Sequence, residues 1–117
     1  MPDLKTYDGH CHCGAVRFRL KTETITTGVR CNCSICIRKG AVMSSRYFKS
    51  TELESISGLE HLSAYRCGDK LMDHVFCRIC GIYPFHEWEG AYRVNLGCID
   101  NLDIFGLEIA LIDGRSF

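Results

Sequence analysis

Three closely spaced cysteines have the residue type and spacing needed to bind a metal ion. They are Cys31, Cys33 and Cys36, in the pattern C-x-C-x-x-C. A structural zinc site usually has four protein ligands, whereas a catalytic zinc site keeps one position open for water or substrate. These three cysteines, called the trio below, lack a fourth local partner. The trio is therefore a candidate open metal site.

Two further cysteine pairs, more than sixty residues apart, predict a second site. Cys11 and Cys13 lie in a C-x-C-G motif, and Cys77 and Cys80 lie in a C-x-x-C-G motif. On an extended backbone the first two side chains point the same way. The second motif is typical of zinc knuckles, in which a tight turn directs both sulfurs at one point. We expect each pair to supply half of a closed, tetrahedral structural site.

A different pairing of these cysteines is also open at this stage. Cys31 and Cys33 could join Cys77 and Cys80, which would leave the first pair without a metal. The two free thiols would then be exposed to oxidation.

The cysteine content favours metal binding over disulfide bonds. The chain of 117 residues has nine cysteines. Disulfide frameworks are typical of short secreted chains with an even number of cysteines. Here the number is odd, and the amino terminus has no apolar segment of a secretory signal. We therefore expect a cytoplasmic zinc protein with two zinc sites.

Charge and hydropathy exclude two classes of partner. Lys plus Arg and Asp plus Glu are balanced at fourteen each, so no global field favours nucleic acid. No apolar run approaches the roughly 20 residues that span a bilayer. We expect neither a nucleic-acid nor a membrane partner.

Short alternating segments predict an all-β fold. Val16, Phe18 and Leu20 alternate with polar residues, as in a strand with one buried face. Pro84 restricts its segment to an edge strand or an extended loop. Residues 51–56 could form a short helix or a strand, and turns are expected at 38–40, 67–70, 89–90 and 100–101. Other strands are expected at 15–20, 25–30, 41–48, 59–66, 74–76, 92–98 and 107–112. The interpretation is one compact all-β domain of short antiparallel strands over residues 1–117, held by zinc sites.

Several other side chains have both a functional and a structural interpretation. His74 and His86 could carry protons or act as fourth ligands, although a lone histidine near a strand is more often structural. Cys98 could complete the trio, but it is expected as a buried apolar thiol. The remaining candidates are expected to be structural or solvent-exposed: His10, His12, Cys67, Tyr83, Trp88, Tyr92, and the flanking cations Arg30, Arg38 and Lys39. The alternative for the three cations is steering of substrate carboxylates.

The order of the cysteine motifs resembles a known family. C-x-C-G, then C-x-C-x-x-C, then F-C-x-x-C-G is similar to the glutathione-dependent formaldehyde-activating enzymes, a family that also includes centromere protein V. The resemblance runs from His10 to the Asp113-Gly114-Arg115 segment. It implies a compact β-fold with two zinc sites. The structural zinc would bind Cys11, Cys13, Cys77 and Cys80, and the catalytic, more labile zinc would bind Cys31, Cys33 and Cys36.

The resemblance also implies a reaction. The activity assigned to the family adds formaldehyde to glutathione to give S-hydroxymethylglutathione, and it is classed as a carbon–sulfur lyase activity. This sequence departs from the common pattern at Asn32, where the family often has histidine. An amide cannot titrate, so a proton transfer through an imidazole at this position is excluded.

The chemistry of a zinc ion bound by three thiolates also favours a thiol substrate, independently of the family resemblance. Zinc bound by three thiolates has a net charge of about −1, and it suits an incoming thiol, whose pKa falls on coordination. We therefore expect a lyase-type enzyme that acts on a small thiol adduct, with glutathione as the candidate thiol. The alternative is a non-catalytic binding module in which both zinc sites are structural and Cys98 or a histidine closes the trio.

Overall fold

Short strands form most of the chain in the computed structural model, which describes residues 4–66 and 72–116. One short helix, α1 (Ser34–Lys39), and four 3-10 turns complete the regular structure of these residues. The strands are β1 (Lys5–His10), β2 (Arg17–Thr22), β3 (Thr27–Cys31), β4 (Met43–Ser44), β5 (Phe48–Lys49), β6 (Leu53–Ser57), β7 (Leu62–Tyr65), β8 (Met72–Cys77), β9 (Phe85–Trp88), β10 (Ala91–Val94) and β11 (Glu108–Ile112).

The first sheet has the strand order β1-β2-β6. Phe18, Leu20 and Thr22 on β2 are buried, and the residues between them are exposed. This alternation confirms the predicted strand, although it begins two residues later than expected. β1 pairs antiparallel with β2, from Lys5 opposite Thr22 to His10 opposite Arg17. Apolar periodicity did not predict β1, because only one of its residues, Gly9, is buried.

The second sheet has five strands in the order β5-β10-β9-β8-β7. β9 lies in the middle of this sheet and begins at Phe85, directly after Pro84. The residues directly before Phe85 belong to no strand, as the alternative of an extended loop at Pro84 predicted. Pro84 itself lies outside the ladder of strand hydrogen bonds. The carbonyl of Pro84 accepts a hydrogen bond from the Asn95 N–H at 2.8 Å.

The third sheet has the order β11-β3-β4 and contains a parallel pair. β11 runs parallel to β3, with Glu108 opposite Thr27 and Ile112 opposite Cys31. The expectation of antiparallel pairing throughout is wrong here, although the other strand pairs of the described residues are antiparallel. Because the two strands run together, the residues after β11 emerge beside the residues after β3.

Local predictions differ from the structure at several points. Two residues of the turn predicted at 38–40 belong to α1, and Gly40 ends that helix in the left-handed conformation with φ +67°. The single strand predicted at 41–48 is replaced by two short strands, β4 (Met43–Ser44) and β5 (Phe48–Lys49). The strand alternative for 51–56 is confirmed by β6, residues 59–66 begin with a 3-10 turn, and residues 92–98 end in one. The predicted turn at 67–70, with Cys67, lies outside the described residues.

The main core lies between the sheets and is built from their alternating faces. Phe18, Leu20, Phe48, Val94 and Leu96 are buried there. A smaller cluster at one end consists of Cys11, Val16 and Cys77. Among the described residues no helix is long and apolar enough to cross a membrane.

Gly58, directly after β6, packs closely against the backbone of Ala15 and Val16, which follow the first cysteine pair. Its φ is +88°, and a Cβ added there would overlap the carbonyl oxygen of Ala15 and lie 2.8 Å from the Val16 Cα. Gly90 has a similar φ of +79° with open space around it. Both alanine variants carry the strain of a left-handed residue, but only Gly58→Ala adds a steric clash.

We expect Gly58→Ala to lower the free energy of unfolding by about 2 kcal/mol more than Gly90→Ala. Urea denaturation of both variants and the wild type measures this difference. Equal losses would show that the loop can move away from β6.

Candidate metal centres

The first cysteine cluster joins two distant parts of the chain. The sulfurs of Cys11, Cys13, Cys77 and Cys80 all lie within 4.8 Å of one another. Cys13 Sγ is 3.6 Å from Cys11 Sγ and 3.7 Å from Cys77 Sγ. These separations are much longer than a disulfide bond of about 2.05 Å. With Zn–S bonds of about 2.3 Å, the edges of a tetrahedral site are about 3.8 Å, so the four sulfurs fit a zinc ion.

Tight turns after each pair direct the sulfurs inward. Gly14 and Gly81 both have φ +80°, and their N–H groups donate to the carbonyls of Cys11 and Cys77 at 3.1 and 2.7 Å. Glycine is suited to these positions because it has no Cβ to oppose a positive φ. The Val16 N–H also donates to Cys11 Sγ at 3.4 Å. The backbone at both turns therefore directs the sulfurs toward one point.

The polar surroundings of Cys80 favour its ionised form. Burial raises the pKa of this thiol, but the backbone N–H groups of Cys13 and Ile82 and the neighbouring thiols outweigh burial and lower the pKa to about 6. Since the thiolate is the form that binds metals, this environment supports coordination near neutral pH.

The trio forms a separate group at the junction of β3 and α1. Cys31 ends β3, Cys33 is the N-cap residue of α1, and Cys36 follows within the helix. Their sulfurs lie within 4.8 Å of one another, and all three residues are half-buried. The alternative that placed Cys31 and Cys33 with Cys77 and Cys80 does not match these positions, because the two groups are distinct.

The residues proposed from sequence to close the trio lie elsewhere. Among the described residues, no other Cys, His, Asp or Glu belongs to the trio's group. Cys98 is buried in the main core, where burial raises its pKa to about 12, and the cysteines that act on its charge are Cys11 and Cys80. The buried rings of His74 and His86 contact the hydroxyl of Tyr83. The trio therefore has three protein ligand atoms within the described part of the chain.

The thiols of Cys33 and Cys36 differ in acidity. Burial and the Cys33 thiol raise the pKa of Cys36 to about 12. Burial also raises the pKa of Cys33, but hydrogen bonds from Cys36 and the helix backbone reverse the effect and lower it. Metal binding must therefore displace a proton from Cys36, so metal affinity at the trio should fall as the pH falls.

The segment after β11 folds over the trio through Asn32. The Asn32 side chain donates to Asp113 Oδ1 at 2.9 Å and accepts from the Arg115 N–H at 3.1 Å. The Arg115 Nε donates to the Asn32 carbonyl at 3.1 Å. Hydrogen bonds from Ser116 and then from Asn32 hold the pKa of Asp113 below its ordinary value. Asn32 thus anchors the carboxyl-terminal segment, a role that its position between two cysteines did not reveal.

Gly114 is a site residue that sequence reasoning did not single out. It is buried, and a Cβ added there would overlap Cys31 Sγ and lie 2.9 Å from Cys33 Cβ. The backbone of the carboxyl-terminal segment therefore packs directly on the trio. The available signal was the Asp-Gly-Arg motif, but its contact depends on the parallel β3–β11 pair.

A cavity of about 400 Å³ opens beside the trio. This volume falls within the range of about 300–1,000 Å³ typical of small-molecule sites. Its lining combines cysteines of the trio with aliphatic and charged side chains: Arg30, Cys31, Asn32, Cys36, Ile37, Ala41, Leu111, Ile112 and Asp113. A second cavity of about 260 Å³ lies among core side chains, and neither cysteine cluster lines it.

The three flanking cations have different environments. Arg30 is exposed and lines the larger cavity. Arg38 is exposed, and its guanidinium donates to the Ser34 carbonyl at 2.7 Å. The Lys39 ammonium is buried, 4.0 Å from the centre of the Tyr83 ring. Burial lowers the pKa of Lys39, while the negative charge of the trio opposes that shift.

A buried polar network surrounds Tyr83. His74 Nδ1 is 2.6 Å and His86 Nδ1 is 2.9 Å from the Tyr83 hydroxyl, and His86 Nε2 is 2.8 Å from the Tyr47 hydroxyl. Burial, assisted by the charge of Lys39, lowers the pKa of His86 to about 3. His86 is therefore neutral at physiological pH, as expected for a histidine with a structural role.

The remaining candidates lie away from the trio's cavity. His10 contacts the Cys11 carbonyl at 2.6 Å and Asp100 at 3.0 Å, and His12 is exposed. Trp88 is partly exposed and packs near Tyr47, while Tyr92 packs against the main core. None of these side chains lines the cavity beside the trio.

Ligand substitutions should separate the two clusters. Cys11→Ser removes a buried sulfur that joins two sheets, and we expect it to cost on the order of several kcal/mol and to prevent stable folding. Cys33→Ser removes a sulfur from a half-buried site at the edge of the fold. We expect this variant to fold and to retain about half of the wild-type zinc. Circular dichroism and metal analysis measure the two effects, and unfolding of both variants to the same extent would contradict this division.

Gly114→Ala should impair the trio without changing a ligand. The added methyl group would displace Cys31, so we expect zinc content to fall by about half while the far-ultraviolet spectrum is retained. Gly106→Ala is the matched control, because the nearest atom to its added Cβ is Asp103 Oδ2 at 3.5 Å. Full zinc content in Gly114→Ala would mean that the carboxyl-terminal segment can move away.

Comparison with known proteins gives a consistent relationship. The model of the glutathione-dependent formaldehyde-activating enzyme family matches residues 6–110, which include both clusters. A crystal structure of a Rhodobacter sphaeroides protein, determined as a structural genomics target, is 30% identical and superposes with a TM-score of 0.76. The alignment covers 88% of this chain and 99% of that chain. The chain therefore belongs to the glutathione-dependent formaldehyde-activating enzyme family.

Proposed function

We propose that this protein is a zinc-dependent carbon–sulfur lyase-type enzyme that acts on a small thiol adduct such as S-hydroxymethylglutathione. The observation that carries the proposal is the trio, which offers three sulfur ligands beside a cavity of about 400 Å³. Family membership supports glutathione as the thiol and formaldehyde as the carbonyl compound.

The two clusters have different roles in this proposal. Cys11, Cys13, Cys77 and Cys80 provide four ligands and hold a structural zinc. The trio would hold a second zinc through its three sulfurs, and that ion would supply a binding position for an exogenous thiol. Three thiolates leave that centre with a charge of about −1, so it is a weak Lewis acid that suits binding and ionisation of a thiol.

The chain's own groups would bind and orient the substrate. The thiol enters the cavity beside Cys31 and Cys36, and Arg30 attracts a carboxylate of a glutathione-like molecule. The substrate sulfur then adds to the carbonyl carbon of formaldehyde, which forms the C–S bond. The carbonyl oxygen takes up the proton released by the thiol and becomes a hydroxyl. Asn32 cannot titrate and so cannot carry that proton, whereas the open cavity admits solvent that can.

Direct observation of the reaction tests the proposal. Nuclear magnetic resonance with ¹³C-labelled formaldehyde follows exchange between free formaldehyde and S-hydroxymethylglutathione. We expect the zinc-loaded protein to accelerate exchange at least about tenfold over the uncatalysed rate, because a thiolate held beside the carbonyl carbon reacts faster than one free in solution. Cys36→Ser, with the four-cysteine cluster intact, is the control and should give the uncatalysed rate.

Two results would contradict the proposal. Equal exchange rates with wild type, Cys36→Ser and buffer would exclude this activity and favour a non-catalytic zinc-stabilised binding module. Full activity in Cys36→Ser would place the reaction outside the trio.

A further inference from the structure

The last turn of α1 carries a buried cation next to the trio. Lys39 follows Cys36 by three residues, so the two side chains lie on the same face of the helix. The neighbouring Arg38 is exposed and bonds to the helix backbone. Lys39 Nζ is instead buried, and it makes no hydrogen bond of good geometry and no ion pair with a carboxylate among the described residues. A buried ammonium of this kind requires compensation.

Two features of the structure provide that compensation. The Tyr83 ring presents its face to the ammonium at 4.0 Å, which is within the range of a cation–π interaction. Cys36 precedes Lys39 by three residues on the same face of α1, so the ammonium lies on the side of the helix whose thiolates would bind a metal ion. The trio and Lys39 therefore stabilise each other electrostatically.

The buried network around Tyr83 holds this arrangement in place. His74 and His86 both contact the Tyr83 hydroxyl, and Tyr47 contacts the other nitrogen of His86. Arg93 packs over the Tyr47 ring, with its guanidinium carbon 4.5 Å from the ring centre. With its hydroxyl held from two sides, the Tyr83 ring cannot swing away from Lys39. The ammonium is a fixed charge and not a mobile surface lysine.

We propose that Lys39, held against Tyr83, is a positioning residue that makes the trio selective for an anionic fourth ligand. The inference rests on the proposed binding of a divalent metal at the trio. Three thiolates and a divalent ion have a charge of −1, and an added thiolate would give −2. The nearby ammonium restores the local charge to −1. A neutral fourth ligand such as imidazole adds no charge and gains little from Lys39.

Ligand binding to cobalt-substituted protein tests the inference without measuring turnover. Thiolate binding to Co²⁺ produces a charge-transfer band, and the difference spectrum on adding ligand reports the open site. The probes are 2-mercaptoethanol, a thiol without carboxylates, and imidazole, a neutral ligand. The variants are Lys39→Met, Lys39→Gln and Lys39→Arg, with Arg38→Met as the matched control for loss of one positive charge from the same helix. Circular dichroism checks that each variant folds.

We expect both neutral variants at Lys39 to bind 2-mercaptoethanol about 10- to 100-fold more weakly, the usual effect of removing a group next to a metal ligand. Imidazole affinity should change less than about twofold, within the scatter of a surface substitution. Lys39→Arg should recover most of the thiol affinity, and Arg38→Met should resemble wild type.

Three outcomes would overturn the inference. They are unchanged thiol affinity in the neutral variants, equal weakening of thiol and imidazole, and a wild-type trio that binds no thiol. A wild-type protein that binds the thiol with the expected Lys39 dependence, but does not accelerate formaldehyde exchange, would contradict the proposed function alone.

Discussion

Convergence of four sulfurs from two distant segments is the constraint on which the rest of the structure depends. Cys11 and Cys13 lie directly after β1. Cys77 is the last residue of β8, and Cys80 lies in the turn that follows it. Their meeting point ties the first sheet to the second at one end of the main core. Cys11 and Cys77 are fully buried, and four thiolates at this separation would repel one another without a cation. A metal ion at this point would therefore contribute directly to folding.

The trio depends on a different arrangement, because its surroundings come from two adjacent parallel strands of the third sheet. β3 delivers Cys31, and the parallel strand β11 delivers Gly114 to the same edge. Asn32 then joins the two segments by hydrogen bonds. The trio is half-buried beside a cavity, whereas Cys11 and Cys77 of the four-cysteine cluster are buried. This contrast supports the proposal that assigns chemistry to the trio and stability to the four-cysteine cluster.

Buried polar groups are concentrated on the Lys39 side of the trio. Tyr83 links two histidines to the cation, and burial keeps His86 neutral. Polar side chains in a core are costly unless they are bonded, and the hydrogen bonds among the Tyr83, His74, His86 and Tyr47 side chains limit their movement. The sequence analysis treated Tyr83, Lys39 and the two histidines as separate candidates, each of which could be purely structural. Their common role is visible only where strands β8 and β9 place the two histidines opposite each other.

The sequence by itself determined the cysteine motifs, the all-β character and most of the strands, because these follow from local spacing and from the period of two along each strand. It also favoured the grouping of cysteines found in the two clusters, but it left the alternative pairing open, because local turn signals do not say which distant pairs meet. The tertiary structure alone decided the parallel pairing of β3 with β11, the contact of Gly114 with Cys31 and the inward direction of Lys39. These are contacts between residues far apart in the chain or choices between the faces of a short helix. Local spacing carries no information about them, because they are fixed by which strand edges meet and by what each buried group must be paired with.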